Sequence, residues 1–251
     1  MTHAFATYPS LADKRVVVTG GASGIGAEIV TAFAAQGARV GFVDLDAAAS
    51  EALSSAHPNV AHEICDLRDI AALQAALARL RDRHGPTDVL VNNAARDDRH
   101  DWRDVTPDYW DERQAVNLRH MFFAIQAVAP DMIEAGGGAI VNMASNSWME
   151  AVGGFPAYAT AKAAVHGLTR TIARDLGGHR IRVNTVVPGW IMTQRQKDLW
   201  ATPEKLEAHR SGQCLPDLID PVHVARMVLF LASDDAAMCT ANNYMVEAGS
   251  I

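Results

Sequence analysis

Along the chain, short β-rich apolar runs alternate with longer stretches in which apolar residues recur every three or four positions. The short runs predict strands at Arg15–Thr19, Arg39–Asp44, Asn59–Ile64, Val89–Asn92, Ala139–Met143, Arg182–Val187 and Tyr244–Val246. The longer stretches predict helices over Gly24–Gln36, Ile70–His84, Pro107–Ala135, Ala157–Leu176 and Pro221–Ala232. Strand and helix in alternation mean consecutive βαβ units and a parallel sheet. No linker or internal repeat interrupts the pattern, and the glycines at Gly136–Gly138 mark a tight helix-to-strand turn. At 251 residues the chain is expected to be one α/β domain spanning 1–251.

Composition narrows the classes. Hydrophobic residues make up 49% and charged residues 20%, as in an ordinary globular protein able to bury a core. A net charge of -7 disfavours a nucleic-acid partner, which would meet no basic face. Cys65, Cys214 and Cys239 are too few and too widely spaced for a disulfide framework or a CxxC metal site. The ten histidines include no HExxH pair, so no metal is expected. With neither a leader-like start nor a membrane-length apolar run, the expected location is cytoplasmic, with no membrane partner.

Chemistry begins directly after the first predicted strand, in Thr19-Gly20-Gly21-Ala22-Ser23-Gly24-Ile25-Gly26. Gly20 lets the chain leave the strand sharply, Gly24 leaves room for a pyrophosphate, and Gly26 lets the following helix pack closely on the sheet. Gly20, Ser23, Gly24, Ile25 and Gly26 are therefore placed against a dinucleotide. The spacing is not GxGxxG, because Glu28 and Ile29 stand where the third glycine would fall. Asp44, closing the second strand, can accept from both adenosine ribose hydroxyls and would repel a 2′-phosphate, so the expected cofactor is NAD. Neither the turn nor the residues just past Asp44 offer an arginine or lysine to reverse that preference. Asp66 and Leu67 end the third strand near the adenine edge. Asn93 and Ala94 follow the fourth, where small residues let a cofactor lie on the backbone, although Asn93 can equally cap local backbone.

Tyr158 and Lys162 stand four residues apart in a predicted helix and so share a face. A phenol is a poor base at neutral pH, and a nearby ammonium would favour its phenolate. Ser145, at the end of the fifth strand, can hydrogen-bond the reacting oxygen. Asn117 can hold a water linking Lys162 to solvent. A YxxxK pair alone is common on helix surfaces; its order with the glycine-rich turn, Asn92–Ala95, Asn117, Ser145 and Pro188-Gly189 is far more specific.

In these motifs, over essentially its whole length, the chain resembles the short-chain dehydrogenase/reductase family. The resemblance implies a Rossmann-like, doubly wound, seven-stranded parallel sheet with helices on both faces. It implies Asn117, Ser145, Tyr158 and Lys162 as a catalytic tetrad, with Tyr158 and Lys162 also touching the cofactor. It implies further that Pro188, Gly189, Ile191 and Thr193 cover the nicotinamide, and that the protein is a homotetramer pairing the helices within Pro107–Ala135 and Ala157–Leu176. One departure is Glu247-Ala248-Gly249, where the family usually has Asp-Gly-Gly.

The stretch Thr193–Pro216 lacks a strand and follows the sixth strand at the ligand-binding end, so a substrate lid is expected over about 190–216. Arg96, Ser145, Asn146, Trp148, Glu150, Tyr158, Trp190 and Gln194 are the expected substrate contacts. Hydrogen-bonding groups beside tryptophans suit a polyhydroxylated ligand with one apolar face. Arg96-Asp97-Asp98-Arg99-His100, Pro188-Gly189-Trp190, Arg195-Gln196, Leu199-Trp200, Gln213-Cys214-Leu215 and Met238-Cys239-Thr240 look like a bacterial subgroup that contains aldose 1-dehydrogenases. That resemblance implies oxidation of C1 of a sugar such as galactose, arabinose, fucose or rhamnose to a lactone. The alternatives are reduction of another carbonyl, such as a 3-oxoacyl thioester or small ketone, and a non-catalytic nucleotide sensor, which the presence of both Tyr158 and Lys162 disfavours.

Overall fold

A computed structural model describes residues 5–251. Its seven strands are β1 (Arg15–Thr19), β2 (Arg39–Asp44), β3 (Val60–Ile64), β4 (Val89–Asn92), β5 (Gly138–Met143), β6 (Ile181–Pro188) and β7 (Asn243–Val246). All pair in parallel in the order β3-β2-β1-β4-β5-β6-β7. The order reverses between β1 and β4, opening a crevice beyond their carboxyl ends.

Alternate residues within each apolar run divide between the two faces. Val16 and Val18 of β1, Val89 and Val91 of β4 and Val141 of β5 pack with α1 (Gly24–Ala35) and α9 (Pro221–Ala232). Val17, Leu90 and Ile140 pack on the other face, with α3 (Ile70–His84) and α5 (His120–Glu134). Covering both faces buries the central strands on either side, which is why β1, β2 and β4 are largely apolar, while the edge strands β3 and β7 stay partly exposed.

The expected strands match to within about a residue at each end, but the helices differ in three places. A helix α2 (Ala47–Ala56) follows β2. It buries only Ser50, so it carries no apolar stripe to read, although Asp46 caps it by accepting from the Ala49 amide at 3.0 Å. The single helix expected over Pro107–Ala135 is α4 (Pro107–Gln114), a π-helical turn over Ala115–Arg119, and α5. The stretch expected as a strandless insertion holds two polar helices, α7 (Gln194–Leu199) and α8 (Pro203–Ser211), capped by Thr193 and Thr202.

One buried polar chain sets the long helix α6 (Pro156–Leu176) on the sheet. The Asn92 amide donates to Asn142 Oδ1 at 2.9 Å, Asn142 donates to the Thr169 hydroxyl at 3.0 Å, and Thr185 donates to the same hydroxyl at 2.8 Å. All four side chains are fully buried. Such bonds have directions that apolar packing lacks, so they fix the register of α6 and hence the positions of Tyr158 and Lys162. Among the described residues no helix is long and apolar enough to cross a membrane.

Candidate active site

The glycine-rich turn is built for close approach. Gly20 and Gly24 have φ of 68° and 55°, and a Cβ at Gly26 would overlap the Gly20 carbonyl oxygen. The Thr19 hydroxyl receives the amides of Asn93 and Ala94 at 3.0 and 3.2 Å, while the Asn93 side chain donates to the carbonyls of Thr19 and Gly20. Asn93 therefore clamps the turn to the end of β4, the second of its two expected roles. Ser23 precedes α1 without a side-chain cap bond, which leaves the helix's first amides open to an anion.

Asp44 accepts the Ala22 amide at 2.9 Å on one oxygen, and the amides of Leu45 and Asp46 at 2.7 and 3.1 Å on the other. A carboxylate offers about four acceptor positions, so capacity remains for a ribose hydroxyl. Asp66 is committed differently. Arg68 forks onto both of its oxygens, with the shortest contact at 2.6 Å, and holds its carboxyl below the usual range. Its side chain is turned onto Arg68, and Leu67 beside it is buried.

A cleft of about 680 Å³ opens beyond β4, β5 and β6. Ile25, Asn93, Pro188, Gly189, Ile191 and Thr193 line one end, and Ser145, Tyr158 and Lys162 its floor. Lys162 is 1% exposed and donates to the Met143 carbonyl at 2.7 Å, with its Nζ 5.8 Å from the Tyr158 ring centre. Burial pulls the lysine down to about 7, against an opposing effect of Asp97. Burial pushes the Tyr158 phenol above its ordinary value, Asp97 adds to this, and the Ser145 hydrogen bond and Arg99 oppose it. Burial thus disfavours the ammonium expected beside the phenol, and Ser145 and Arg99 are the groups that favour the phenolate.

Asn117 lies in the π-helical turn, outside the lining of the cleft. Its Oδ1 accepts the Arg96 amide at 2.8 Å, and its Nδ2 donates to the carbonyls of Arg96 and Arg113 at 3.2 and 2.9 Å. Both amide hydrogens are taken, so the side chain pins the loop after β4. One acceptor position on Oδ1 remains for the water expected there.

The expected substrate contacts divide. Asn146, Glu150 and Trp190 line the cleft, with the Asn146 side chain donating to Glu150 Oε1 at 2.7 Å. Three others do not. Trp148 lies edge-on to His166, ring centres 5.4 Å apart, on the outer side of α6. Gln194 donates along its own helix to Asp198 at 2.7 Å, and Arg96 turns onto Asp98 at 3.3 Å. In each case a nearby protein partner satisfies the polar group more closely than the cleft does. The far wall instead includes Asp97, Arg99, Phe155, Gln196, Trp200 and His209. Asp97, Arg99, Gln196 and Trp200 occur in the segments similar to sugar dehydrogenases; Phe155 and His209 carried no local signal.

Segment 190–216 is fastened across the cleft. Arg195 reaches Asp98 at 2.7 Å and Gln196 donates to Asp97 at 2.7 Å. Arg113, only 6% exposed, holds Asp98 from below at 2.5 Å. Burial alone would raise the Asp98 carboxyl, but Arg113, Arg96 and Arg195 bring it below its ordinary value.

At the C-terminus Ala248 takes φ of 60°, in the left-handed region that the family's usual glycine occupies without strain. The Glu247 carboxylate accepts from both the amide and the hydroxyl of Ser250.

Comparison with known proteins fits this geometry. The family model described as "Enoyl-(Acyl carrier protein) reductase" matches residues 20–250. The D-xylose 1-dehydrogenase of Caulobacter vibrioides is 50% identical over 97% of this chain and 98% of its own. The "Probable galactose dehydrogenase GalD" of Rhizobium meliloti is 46% identical over 99% of both chains. The crystal structure of gox2181 superposes with a TM-score of 0.88 at 32% identity, covering 96% of this chain and 98% of that one. With its parallel sheet, glycine-rich turn and Ser145–Tyr158–Lys162 cleft, the chain belongs to the short-chain dehydrogenase/reductase family and is an oxidoreductase acting on CH–OH groups.

Proposed function

We propose that the protein oxidises C1 of an aldose with NAD, giving a sugar lactone. The observation that carries this is the cleft itself: Tyr158, Ser145 and Lys162 meet at its floor, beside a wall that mixes aromatic rings with hydrogen-bonding side chains. Relatives named for xylose and galactose oxidation, alike over nearly the whole chain, support the substrate class.

The residues present fit a dinucleotide, because side-chain atoms at Gly20, Gly24 or Gly26 would obstruct the turn and α1 presents uncapped amides above it. Those amides would take the pyrophosphate, and Asp44 the adenosine ribose. The Asp44 carboxylate would stand next to the position of a 2′-phosphate, which supports NAD over NADP. Pro188, Gly189, Ile191 and Thr193 would cover the nicotinamide, which when bound supplies the hydride acceptor. Tyr158, once its phenol proton has left to solvent through the cleft, takes the anomeric hydroxyl proton as the phenolate; Ser145 holds the substrate oxygen and favours that phenolate. Lys162, neutral above about 7, is able to pass the proton onward from a buried position. Segment 190–216 acts as a lid on a single domain covering 1–251.

A homotetramer belongs to this reading. Phe122 and Ile133 of α5 are 42% and 39% exposed, and Trp148 beside α6 is 41% exposed, more apolar surface than the sheet requires. Light scattering that gives a monomer mass would reject it. The activity is tested with a panel of aldoses, 3-oxoacyl thioesters and simple ketones against NAD and NADP, followed by nucleotide absorbance. Aldose oxidation with NAD is expected; turnover confined to the thioesters or ketones would overturn the proposal.

A further inference from the structure

Arg99 differs from its neighbours. Arg96, Arg113 and Arg195 all form ion pairs with Asp97, Asp98 or Glu112. Arg99 lies among them, yet no carboxylate or carbonyl among the described residues accepts a hydrogen bond from it. Its guanidinium sits instead 3.8 Å from the centre of the Phe155 ring and 5.5 Å from that of Trp200. Phe155 is 3% exposed at the start of α6, its ring centre 5.5 Å from that of Tyr158. Trp200 ends the lid helix α7. One planar cation is thus held between the helix that carries the reactive phenol and the segment that covers the cleft.

With no hydrogen bond to the described residues, the guanidinium N–H donors remain available to a ligand. Around the same cleft, Trp200 Nε1, His209 Nε2 and Ser147 Oγ are buried without a hydrogen-bond partner. Polar groups with unused capacity beside aromatic rings in one pocket are the features that orient a ligand. Their mixture of signs identifies its chemistry. Asp97 and Glu150 line the cleft with Arg99, so a carboxylate ligand would meet like charges, whereas a hydroxyl can donate to one and accept from another.

We propose that Arg99, placed over Phe155 and near Trp200, reads the non-reacting hydroxyls of the sugar and is the main determinant of aldose specificity. This rests on the aldose reading above and adds the residue that performs the selection. A rigid fork near Tyr158 holds the ring so that C1 faces the cofactor end, and the fork is complete only when Trp200 lies over it.

The test uses the whole enzyme with Arg99→Met, which keeps the packed stem, Arg99→Lys, which keeps the charge without the plane, and Trp200→Phe. Kinetics are measured on the best aldose, its uronic acid and a short secondary alcohol. Sugar binding is read separately from tryptophan fluorescence, and folding from thermal melting. In Arg99→Met, kcat/KM on the aldose should fall about ten- to a hundredfold, the size of lost hydrogen bonds from a charged donor. The fall should be mostly in KM and about tenfold or more beyond that on the short alcohol, with lysine restoring little and Trp200→Phe showing a smaller loss of the same kind. Unchanged aldose kinetics, or equal falls on both substrates, overturn the proposal while leaving the aldose reading intact. A wild-type preference for the uronic acid that vanishes with Arg99 overturns the assignment to hydroxyls. A wild-type enzyme that oxidises no aldose defeats both inferences.

Discussion

Replacing Lys162 by methionine should abolish activity and, at neutral pH, make the protein more stable. Lys162 is buried and its amine falls from 10.5 to about 7. Between these values the unfolded chain binds a proton that the folded chain does not, so stability rises with pH across the window. Below about pH 7 the full penalty applies, and above about 10.5 it disappears. At about 1.4 kcal/mol per pH unit, the penalty at pH 7 is of the order of 4 kcal/mol. Methionine removes it but strands the Met143 carbonyl, which now accepts the ammonium at 2.7 Å; an orphaned buried acceptor costs about 1–3 kcal/mol. The variant should therefore lead by about 1–3 kcal/mol at pH 7. The slope is the sharper test, because the stranded carbonyl contributes equally at every pH. Wild type should gain about 2 kcal/mol on the variant between pH 7 and 9. Urea denaturation at fixed protein concentration, without nucleotide, measures this directly. Parallel stability curves for the two proteins would refute the reasoning.

Tyr158→Phe removes the proton acceptor and should lower kcat by at least about a hundredfold, with NAD affinity, measured by fluorescence titration, retained; near-normal turnover would sink the mechanism. Asp44→Ala should weaken NAD binding and relax discrimination against NADP, read as the ratio of kcat/KM for the two cofactors. Asp98→Asn leaves the buried Arg113 with Glu112 alone and Arg195 with only its longer contact to Asp97 at 3.5 Å. It should reduce stability by about 1–3 kcal/mol and raise KM for sugar, measured by denaturation and steady-state kinetics. Ala248→Gly relieves left-handed strain at φ of 60° and should raise stability by up to about 1 kcal/mol; a fall in melting temperature would contradict this.

Much of the architecture was legible in the order of residues alone. Central strands buried on both faces must be largely apolar, the edge strands β3 and β7 keep short β-rich runs, and amphipathic helices must repeat at their own period, so β1 to β7, α1, α3, α6 and α9 are written locally. The glycine-rich turn was equally plain, since backbone crowding there admits no side chain, and Tyr158 and Lys162 share a helix face whatever surrounds them. Helix α2 escaped because it buries almost nothing, and the π-helical turn because no local signal marks it; Asn117 within it bonds the backbone of Arg96 across the fold. The destinations of Trp148, Gln194 and Arg96 were open for a similar reason, since a polar side chain in a loop goes to whichever partner the folded chain brings nearest. His166, Asp198 and Asp98 were those partners. Local sequence specifies periodicity and backbone tolerance; only the tertiary structure sets desolvation and long-range pairing. These turn Lys162 toward neutrality and bring Arg99 over the Phe155 ring and near Trp200 of the lid.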